Sequence, residues 1–490
     1  MMWCLNRLIV IVMLLCLCQL TYSQHTIKGK IVEAETKQPL SGVSIQCTDK
    51  ACSCGSLSSD SGEFSFKTAD TTKQFIVSFI GYEAKQVALT AGDENIVRLY
   101  PSESLLQEVV VTANRDAVKR SQAPVAIAAI NMKTIEETKP TSIDQLLNKV
   151  SGVYMVNLGN EQHQMSIRQP ITTKSLFLYL EDGIPVRTTG LFNHNALLEM
   201  NMAAVKTIEV IKGPSSSLYG SEAIGGAVNF ITLAPTTRPS AKLSLQGNDI
   251  GYKRTDLQTT FTKGRWGFAL SGYYANKRNS FLEYSNFNKG TITARADYRF
   301  NQNTSLNNSI TWLDYYSDMP GGIDSVMFSS KTFKNPQTFT YRKVNAVRYR
   351  STLSHNWSNE SKSTLSVIYR DNTIQQNPAY AIKDDFRKQG ANWVGKKNLA
   401  HGEINSSSFN SYAAVAQHRQ AINWKNAVAI VGLNADISPS AYRADYIRID
   451  KDSVTKKYLS YTQKDSTLTN YETAINNYAG FFNFEFDASD

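Results

Sequence analysis

Several features that mark common enzymes and membrane proteins are missing from this sequence of 490 residues. No apolar run beyond the first 23 residues reaches the ~20 residues that a membrane-spanning helix requires, so a membrane protein of this sequence would have to cross as a β-barrel. No G-x-x-x-x-G-K-[ST] or G-x-G-x-x-G stretch follows a strand, and H-E-x-x-H is absent. The six histidines are scattered. We therefore predict no enzymatic activity, no cofactor and no metal site.

Cysteine is scarce once the leader is removed. Met1–Ser23 combines a positive residue, Arg7, with a short apolar run and a small-residue cleavage site, so it predicts a cleaved signal peptide. The remaining Cys47, Cys52 and Cys54 lie in one short segment. They allow either a metal site or one local disulfide with a free thiol, and an exported chain favours the disulfide.

Charge is also limited, at 19% of the residues, with 52 basic against 42 acidic side chains. The basic residues are scattered and form no stripe, so we expect no nucleic acid partner. Aromatic residues, in contrast, are plentiful, with 24 tyrosines and 21 phenylalanines, whereas proline is limited to 13. This composition indicates a mainly β protein.

Residues 24–99 alternate short strand patterns with turn residues, which predicts a compact antiparallel β-sandwich. The segments GKIVEAETKQPLSGVSI, SDSGEF and VSFIGYE resemble the carboxypeptidase regulatory-like (transthyretin-like) domain. Despite the name, the resemblance implies a structural or docking module, because no zinc-binding spacing accompanies these segments.

The stretch Val205–Thr232 predicts a strand, a turn at Gly213-Pro214, one short helix, the pair Gly225-Gly226 and a second strand. Its KGPSSSLYG and GGAVN motifs, together with SGVYMV and LYLEDGIPV, resemble the plug domain of TonB-dependent outer-membrane receptors. We therefore predict an α/β plug domain over residues 116–234. Gln169 stands where members of the family usually have glycine, and this departure affects the expected geometry of the local turn.

From residue 240 onward, apolar and polar residues alternate over segments of about ten residues, the length of a tilted transmembrane strand. Ten such strands are predicted, with short turns alternating with long loops at 277–290, 315–345, 374–407 and 439–475. Residues 240–490 are therefore predicted to form the N-terminal part of an outer-membrane β-barrel in contact with lipid. Plugged transporters have about 22 strands, so we expect an incomplete barrel, in a fragment or a truncated gene product.

Residues 100–115 form a predicted linker between the sandwich and the plug. A run within it is similar to the TonB box: Glu108, Val109, Val110, Val111 and Thr112. Such a short β-prone segment pairs with the edge of a sheet in TonB by β-augmentation. The alternative is an ordinary last strand of the preceding sandwich.

The resemblance implies a receptor in the outer membrane of a Gram-negative bacterium that imports a large nutrient, energised by TonB and its inner-membrane complex. A ferric siderophore or another iron complex is the expected ligand, because VRTTGLFNHN and Met319–Ile323 resemble segments of ferric-siderophore and ferric-citrate receptors. Import of cobalamin or a glycan by the same mechanism, and a surface adhesin without transport, remain open.

Residues at the outward tips of the plug are the expected ligand contacts: Gln162, His163, Arg187, Phe192, Asn193 and His194. Their alternative role is packing against the barrel wall. Four basic lumen positions are expected to suit an anionic iron chelate: Arg295, Arg299, Arg348 and Arg350.

Overall fold

The computed structural model describes residues 25–34, 37–48, 55–68, 72–79, 82, 84–100, 109–110, 118–119, 125–172, 174, 176–186, 193–220, 222–358 and 360–487. The predicted signal peptide, Cys52 and Cys54 lie outside these residues. The chain divides into two compact units at residue 108. No helix within the described residues is long and apolar enough to cross a membrane.

The described residues of the first unit form seven strands: β1 (His25–Glu33), β2 (Ser44–Cys47), β3 (Gly55–Leu57), β4 (Glu63–Thr68), β5 (Thr72–Ser78), β6 (Lys85–Thr90) and β7 (Glu94–Leu99). They form two sheets, in the orders β4-β1-β7 and β3-β2-β5-β6. Side chains alternate between buried and exposed because successive residues of a strand point to opposite faces. Ile27 and Ile31 of one sheet share a buried core with Ile45, Phe75 and Val77 of the other. The predicted N-terminal β-sandwich is therefore confirmed.

The first part of the second unit consists of one strand in the predicted linker, followed by the predicted plug. Its elements are β8 (Val109–Val110), β9 (Val118–Lys119), β10 (Ile127–Ile130), α1 (Met132–Thr138), α2 (Asp144–Leu147), β11 (Val153–Gly159), β12 (Gln162–Ile167), β13 (Leu178–Glu181), β14 (Ile184–Pro185), two 3₁₀ helices (Asn193–Glu199 and Met202–Ala204), β15 (Val205–Ile211), α3 (Ser216–Tyr219) and β16 (Ala227–Thr232). Five strands form one sheet in the order β10-β15-β16-β13-β14, and β11 and β12 form a separate hairpin. This arrangement is the predicted α/β plug.

The glycine pair before β16 is explained by close packing. A Cβ atom on Gly226 would lie 2.2 Å from the carbonyl oxygen of Ile211, and the residue has φ +149°. A Cβ atom on Gly225 would lie 2.5 Å from the side chain of Gln169. Gln169, which replaces the glycine usual in the family, therefore packs against the glycine pair that allows β16 to approach β15.

The rest of the second unit is built around one large antiparallel sheet, and β25 and β26 pair with each other apart from it. Its elements are β17 (Ser240–Gly247), β18 (Tyr252–Lys263), β19 (Trp266–Lys277), β20 (Phe287–Arg299), β21 (Thr304–Asp318), α4 (Ser325–Ser329), β22 (Tyr341–Asn356), β23 (Ser361–Asn377), a 3₁₀ helix (Ala379–Ala381), β24 (Lys383–Asp384), β25 (Arg387–Gln389), β26 (Asn392–Val394), β27 (Leu399–Ile422), β28 (Ala427–Lys451) and β29 (Tyr458–Glu485). Ten strands follow one another in the order β17-β18-β19-β20-β21-β22-β23-β27-β28-β29, and β24 pairs with β27. The predicted count of about ten strands is confirmed.

One predicted loop of this sheet is wrong. The segment 439–475 was expected to be a long connection, yet β28 and β29 extend through most of it and only residues 452–457 join them. Ile447 and Ile449 are buried in a cluster with Ala400 and Tyr458. This apolar contact stabilises strand pairing well beyond the length that crosses a bilayer.

The two ends of the sheet differ. Short turns join the strands at residues 264–265, 300–303, 357–360 and 423–426, which we call the turn end. The longest connections, at residues 278–286, 319–340 and 378–398, lie at the opposite, loop end. The face toward the predicted plug is polar: Asn201 Nδ2 donates to the backbone oxygen of Ser271 at 3.0 Å and to Thr293 Oγ1 at 2.9 Å. The other face exposes Trp266 and Ile292. The predicted alternation of polar inward and apolar outward residues is thus confirmed.

Candidate functional site

Buried ion pairs fasten the predicted plug to the polar face of the sheet. Glu199, at the end of the first 3₁₀ helix, accepts hydrogen bonds from Arg370 Nη2 at 2.9 Å and from Asn372 Nδ2 at 2.7 Å. Arg348 lies 3.6 Å from the same carboxylate and also pairs with Glu181. All these groups are at least four-fifths buried, so each charge depends on its partner.

The β13–β14 turn makes a second set of contacts. Asp182 forms an ion pair with Arg350. Its carboxylate also accepts two hydrogen bonds from Thr232, one from the backbone nitrogen of Thr232 at 2.8 Å and one from the Thr232 hydroxyl at less than 3 Å. Burial alone would raise the pKa of Asp182, but the charge of Arg350 and the Thr232 hydrogen bonds outweigh it and hold the pKa below its usual range. Asp182 is therefore ionised at neutral pH.

The β11–β12 hairpin is tied to the wall at its tip. Lys289 Nζ lies 2.8 Å from Glu161 Oε2, with the lysine side chain 3% exposed. Ser317 Oγ donates to Asn160 Oδ1 at 3.2 Å. Burial would raise the pKa of Glu161, yet the charge and hydrogen bond of Lys289 lower it overall. The hairpin tip thus carries an anion held by a cation of the sheet.

These contacts correct one prediction about charge. Arg348 and Arg350 were expected to offer their charges to a ligand, but both are paired with acids of the predicted plug. Arg295 pairs with Asp297 at 2.8 Å, and Arg299 is exposed at the turn end. The prediction failed because alternation along a strand shows which side chains face inward but does not show what they meet there.

A cavity of about 740 Å³, which we call the vestibule, lies between the hairpin and the loop end of the sheet. This volume is within the usual range for sites that bind sizeable ligands, about 300–1,000 Å³. Its walls mix aromatic rings with amides, as shown by Tyr252, Phe287, Tyr315, Tyr380, Asn157 and Gln337. Such walls suit a large ligand with both apolar faces and hydrogen-bonding groups.

Two predicted ligand residues meet at this vestibule. Gln162 and His163 both line it. His163 is 3% exposed, and neither ring nitrogen has a hydrogen-bond partner in the described part of the chain. Burial lowers the pKa of His163, against the opposing charges of Glu161 and Asp144, so the imidazole is neutral.

The other predicted residues are only partly described. Arg187 and Phe192 lie outside the described residues, whereas Asn193 and His194 begin the first 3₁₀ helix. In the expected TonB box, Val109 and Val110 form β8, which pairs with β9. Glu108, Val111 and Thr112 lie outside the described residues. The roles of all these residues stay predictions.

Sequence reasoning missed Asn195, Arg342 and Gln376. Arg342 donates from Nη2 to Asn195 Oδ1 at 2.6 Å and from Nη1 to Gln376 Oε1 at 3.4 Å. Gln162 Nε2 also donates to Asn195 Oδ1, at 3.4 Å. The period-two pattern of β22 signals that Arg342 faces inward, but it gives no reason to select this arginine over its neighbours.

Comparison with known proteins identifies two domains of the chain. The family model described as the TonB-dependent Receptor Plug Domain matches residues 119–227. The chain therefore carries the plug domain of TonB-dependent receptors. A second family model, the CarboxypepD_reg-like domain, matches residues 27–111 of this receptor. Both resemblances expected from the motifs are therefore confirmed, while the domain boundaries given above remain predictions.

Known relatives are similar to this receptor over part of their length. The Vitamin B12 transporter BtuB of Vibrio vulnificus (strain CMCP6) is 28% identical over 225 residues, which cover 44% of the receptor and 36% of BtuB.

Solved structures show the same fold. The ferripyoverdine receptor of the outer membrane of Pseudomonas aeruginosa has a TM-score of 0.63 at 14% identity, covering 83% of this receptor and 58% of that chain. The ferric citrate transporter FecA has a TM-score of 0.56 at 14% identity, covering 75% and 61% of the two chains. The receptor thus spans less than two thirds of the length of these relatives, and its large sheet corresponds to part of their barrel.

Proposed function

We propose that this receptor takes up a large metal chelate across the outer membrane, with energy supplied through TonB. A ferric siderophore or another iron complex is the proposed cargo, and a corrinoid is the second candidate. The observation that carries the proposal is the position of the vestibule, which lies above the β11–β12 hairpin of a plug that is ion-paired to the polar face of the sheet. The apolar outer face of the sheet would contact lipid.

In this mechanism the plug closes the barrel, and the cargo binds in the vestibule at its outward side. Gln162 and His163 contact the cargo from the plug, and the loop end of the sheet encloses it. Binding makes the segment Glu108–Thr112 available to TonB, which adds it as a strand to its own sheet. In the described residues Val109 and Val110 pair with Val118 and Lys119, so β8 would have to leave β9 before it could pair with TonB.

The two cargo classes have different support. The solved structures of similar fold include a ferripyoverdine receptor and a ferric citrate transporter, which favours iron only by analogy of fold. One relative found by sequence is a vitamin B12 transporter. Because Arg295, Arg348 and Arg350 are already paired, these arginines no longer distinguish an anionic iron chelate from a corrinoid of low net charge.

Deletion of Val109–Thr112 tests the energised mechanism. We expect the variant to bind cargo like the wild type but to lose uptake, because the segment that contacts TonB is removed and no residue that lines the vestibule is changed. The matched control deletes four residues elsewhere in the linker, Ser102–Leu105, and should keep uptake. Uptake that survives the first deletion would exclude TonB-driven import.

Growth tests identify the cargo. A strain that lacks the gene should fail to grow on one iron chelate as sole iron source, or on vitamin B12 at limiting concentration, and the restored gene should correct that defect alone. A defect on glycans with none on metal chelates would contradict the proposed cargo class.

A further inference from the structure

One buried cation of the receptor lacks an anionic partner. Four basic side chains are buried among the described residues: Lys289, Arg342, Arg348 and Arg370. Three of them form ion pairs with plug carboxylates. Arg342, which is 1% exposed, has no carboxylate within 4.0 Å in the part of the chain described. A buried charge without a counter-charge strongly destabilises a fold, so this exception requires an explanation.

Neutral amides hold the Arg342 guanidinium. Its Nη2 and Nη1 atoms donate to the side-chain oxygens of Asn195 and Gln376. Its Nε atom is buried and has no hydrogen-bond partner among the described residues. Amide oxygens satisfy donors but do not neutralise the charge. The nearby Glu161 carboxylate interacts with Arg342 through space, but it is in direct contact with Lys289. Glu161 is therefore held by another cation, and Arg342 has no carboxylate in direct contact among the described residues.

Arg342 lies next to the vestibule. Tyr315 and Tyr380 line the vestibule, and both lie in the neighbourhood of Arg342. Asn195 Oδ1 accepts from Arg342 and from Gln162, which itself lines the vestibule. The Asn195 side chain therefore connects the Arg342 guanidinium to the wall of the vestibule.

An independent observation also indicates an incomplete vestibule wall. Both ring nitrogens of His163 and the Oε1 atom of Gln337 are buried without hydrogen-bond partners in the described residues. Both side chains line the vestibule. Buried polar atoms nearly always have hydrogen-bond partners in native proteins. These atoms therefore indicate a polar ligand that forms the missing hydrogen bonds.

We propose that Arg342 is the anion-binding residue of the vestibule and takes an anionic oxygen group of the cargo, such as a carboxylate or a phosphodiester. The incoming oxygen replaces Asn195 Oδ1 at Nη2, so a charged acceptor takes the place of a neutral one and forms a stronger hydrogen bond. Asn195 belongs to the plug and Arg342 to the wall, so the exchange also releases one contact between them. The proposal rests on the proposed cargo class, but binding alone tests it.

Stability without ligand is the first test. In the purified full-length receptor, Arg342→Met should leave the thermal unfolding midpoint unchanged or raise it, because it removes an uncompensated buried charge. Arg370→Met is the matched control and should lower the midpoint, because it leaves Glu199 without its closest cation. If Arg342→Met lowers the midpoint as much as Arg370→Met does, Arg342 is a structural residue and the proposal is wrong.

Anion binding is the second test. Citrate and inorganic phosphate, compared with chloride at equal ionic strength, should raise the midpoint of the wild type but not that of Arg342→Met. Arg342→Lys, which keeps the charge, should retain part of the shift. If neither anion raises the unfolding midpoint of the wild type, Arg342 does not bind anions. The same conclusion holds if both anions raise the midpoint of Arg342→Met by as much as they raise that of the wild type.

Three larger probes separate the two sources of the anionic group. Ferric citrate offers carboxylates, cyanocobalamin offers a phosphodiester, and dicyanocobinamide lacks the phosphodiester. Arg342→Met should weaken binding of at least one of the first two probes about tenfold or more and should leave dicyanocobinamide unaffected. Equal loss for all three probes would contradict an anion-specific role. These assays use no TonB, so a failure of energised uptake would not affect their outcome.

Discussion

In each ion pair described above that joins the plug to the sheet, the acidic residue belongs to the plug and the basic residue belongs to the sheet. Glu161, Glu181, Asp182 and Glu199 follow this rule, and so does Glu136, which pairs with Lys242 at the surface. Buried pairs contribute little net stability, because removing the charges from water offsets much of their attraction. Breaking one pair is nevertheless costly, so these residues define a single docked position of the plug.

At the residue scale, Glu161→Gln should destabilise the receptor by about 3 kcal/mol, because it leaves Lys289 buried without a counter-charge. The measurement is the free energy of unfolding of the purified receptor in detergent. Glu137→Gln is the control, since its pair with Lys133 is long, at 3.9 Å, and exposed. It should change stability by less than about 0.5 kcal/mol. Equal effects of the two substitutions would show that the buried pair does not hold the hairpin.

The lowered pKa values of the paired plug carboxylates predict that the stability of the receptor depends on pH. The pKa values of Glu161 and Asp182 are lowered in the folded receptor, so the folded state binds fewer protons than the unfolded state. Their stabilisation is complete above the unfolded carboxyl pKa of about 4 and is lost as the pH falls through the lower folded values. The stability difference between wild type and Glu161→Gln should therefore shrink below pH of about 4. A difference that is constant from neutral to acid pH would contradict this assignment.

At the scale of elements, the glycine motif permits the pairing of β15 with β16. Gly226→Ala should cost at least about 2 kcal/mol, because the new Cβ would collide with the Ile211 carbonyl oxygen in a backbone conformation that favours glycine. Gly213→Ala, in the same motif region, meets nothing within 4 Å and should stay within about 0.5 kcal/mol. Thermal unfolding of both variants checks the prediction, and a similar loss in both would refute it.

At the scale of the whole molecule, the division at residue 108 predicts that the N-terminal sandwich folds by itself. A protein of residues 24–99 should unfold cooperatively, followed by circular dichroism. Phe75→Ala should destabilise it by about 3–5 kcal/mol, because the ring is fully buried and contacts Phe66 with centroids 5.0 Å apart. Ile76→Ala, at an exposed neighbouring position, is the control. A non-cooperative transition in the isolated sandwich would contradict its independence.

Local patterns in the sequence determined the class of this protein. The alternation that predicted ten strands, the KGPSSSLYG and GGAVN motifs, and the sandwich segments all depend on neighbours along the chain, and each was confirmed. The prediction of a loop at 439–475 was wrong. The apolar contact of Ile447 and Ile449 with Ala400 and Tyr458 extends two strands past the membrane-spanning length.

Only the tertiary structure decided what each inward charge meets. Arg348 and Arg342 occupy equivalent inward positions of β22, and the sequence does not distinguish them. The fold places carboxylates of the plug beside Arg348 and only amides beside Arg342. Ion pairs between residues more than a hundred positions apart depend on how the plug docks, and that docking is a property of packing in three dimensions, not of periodicity along a strand.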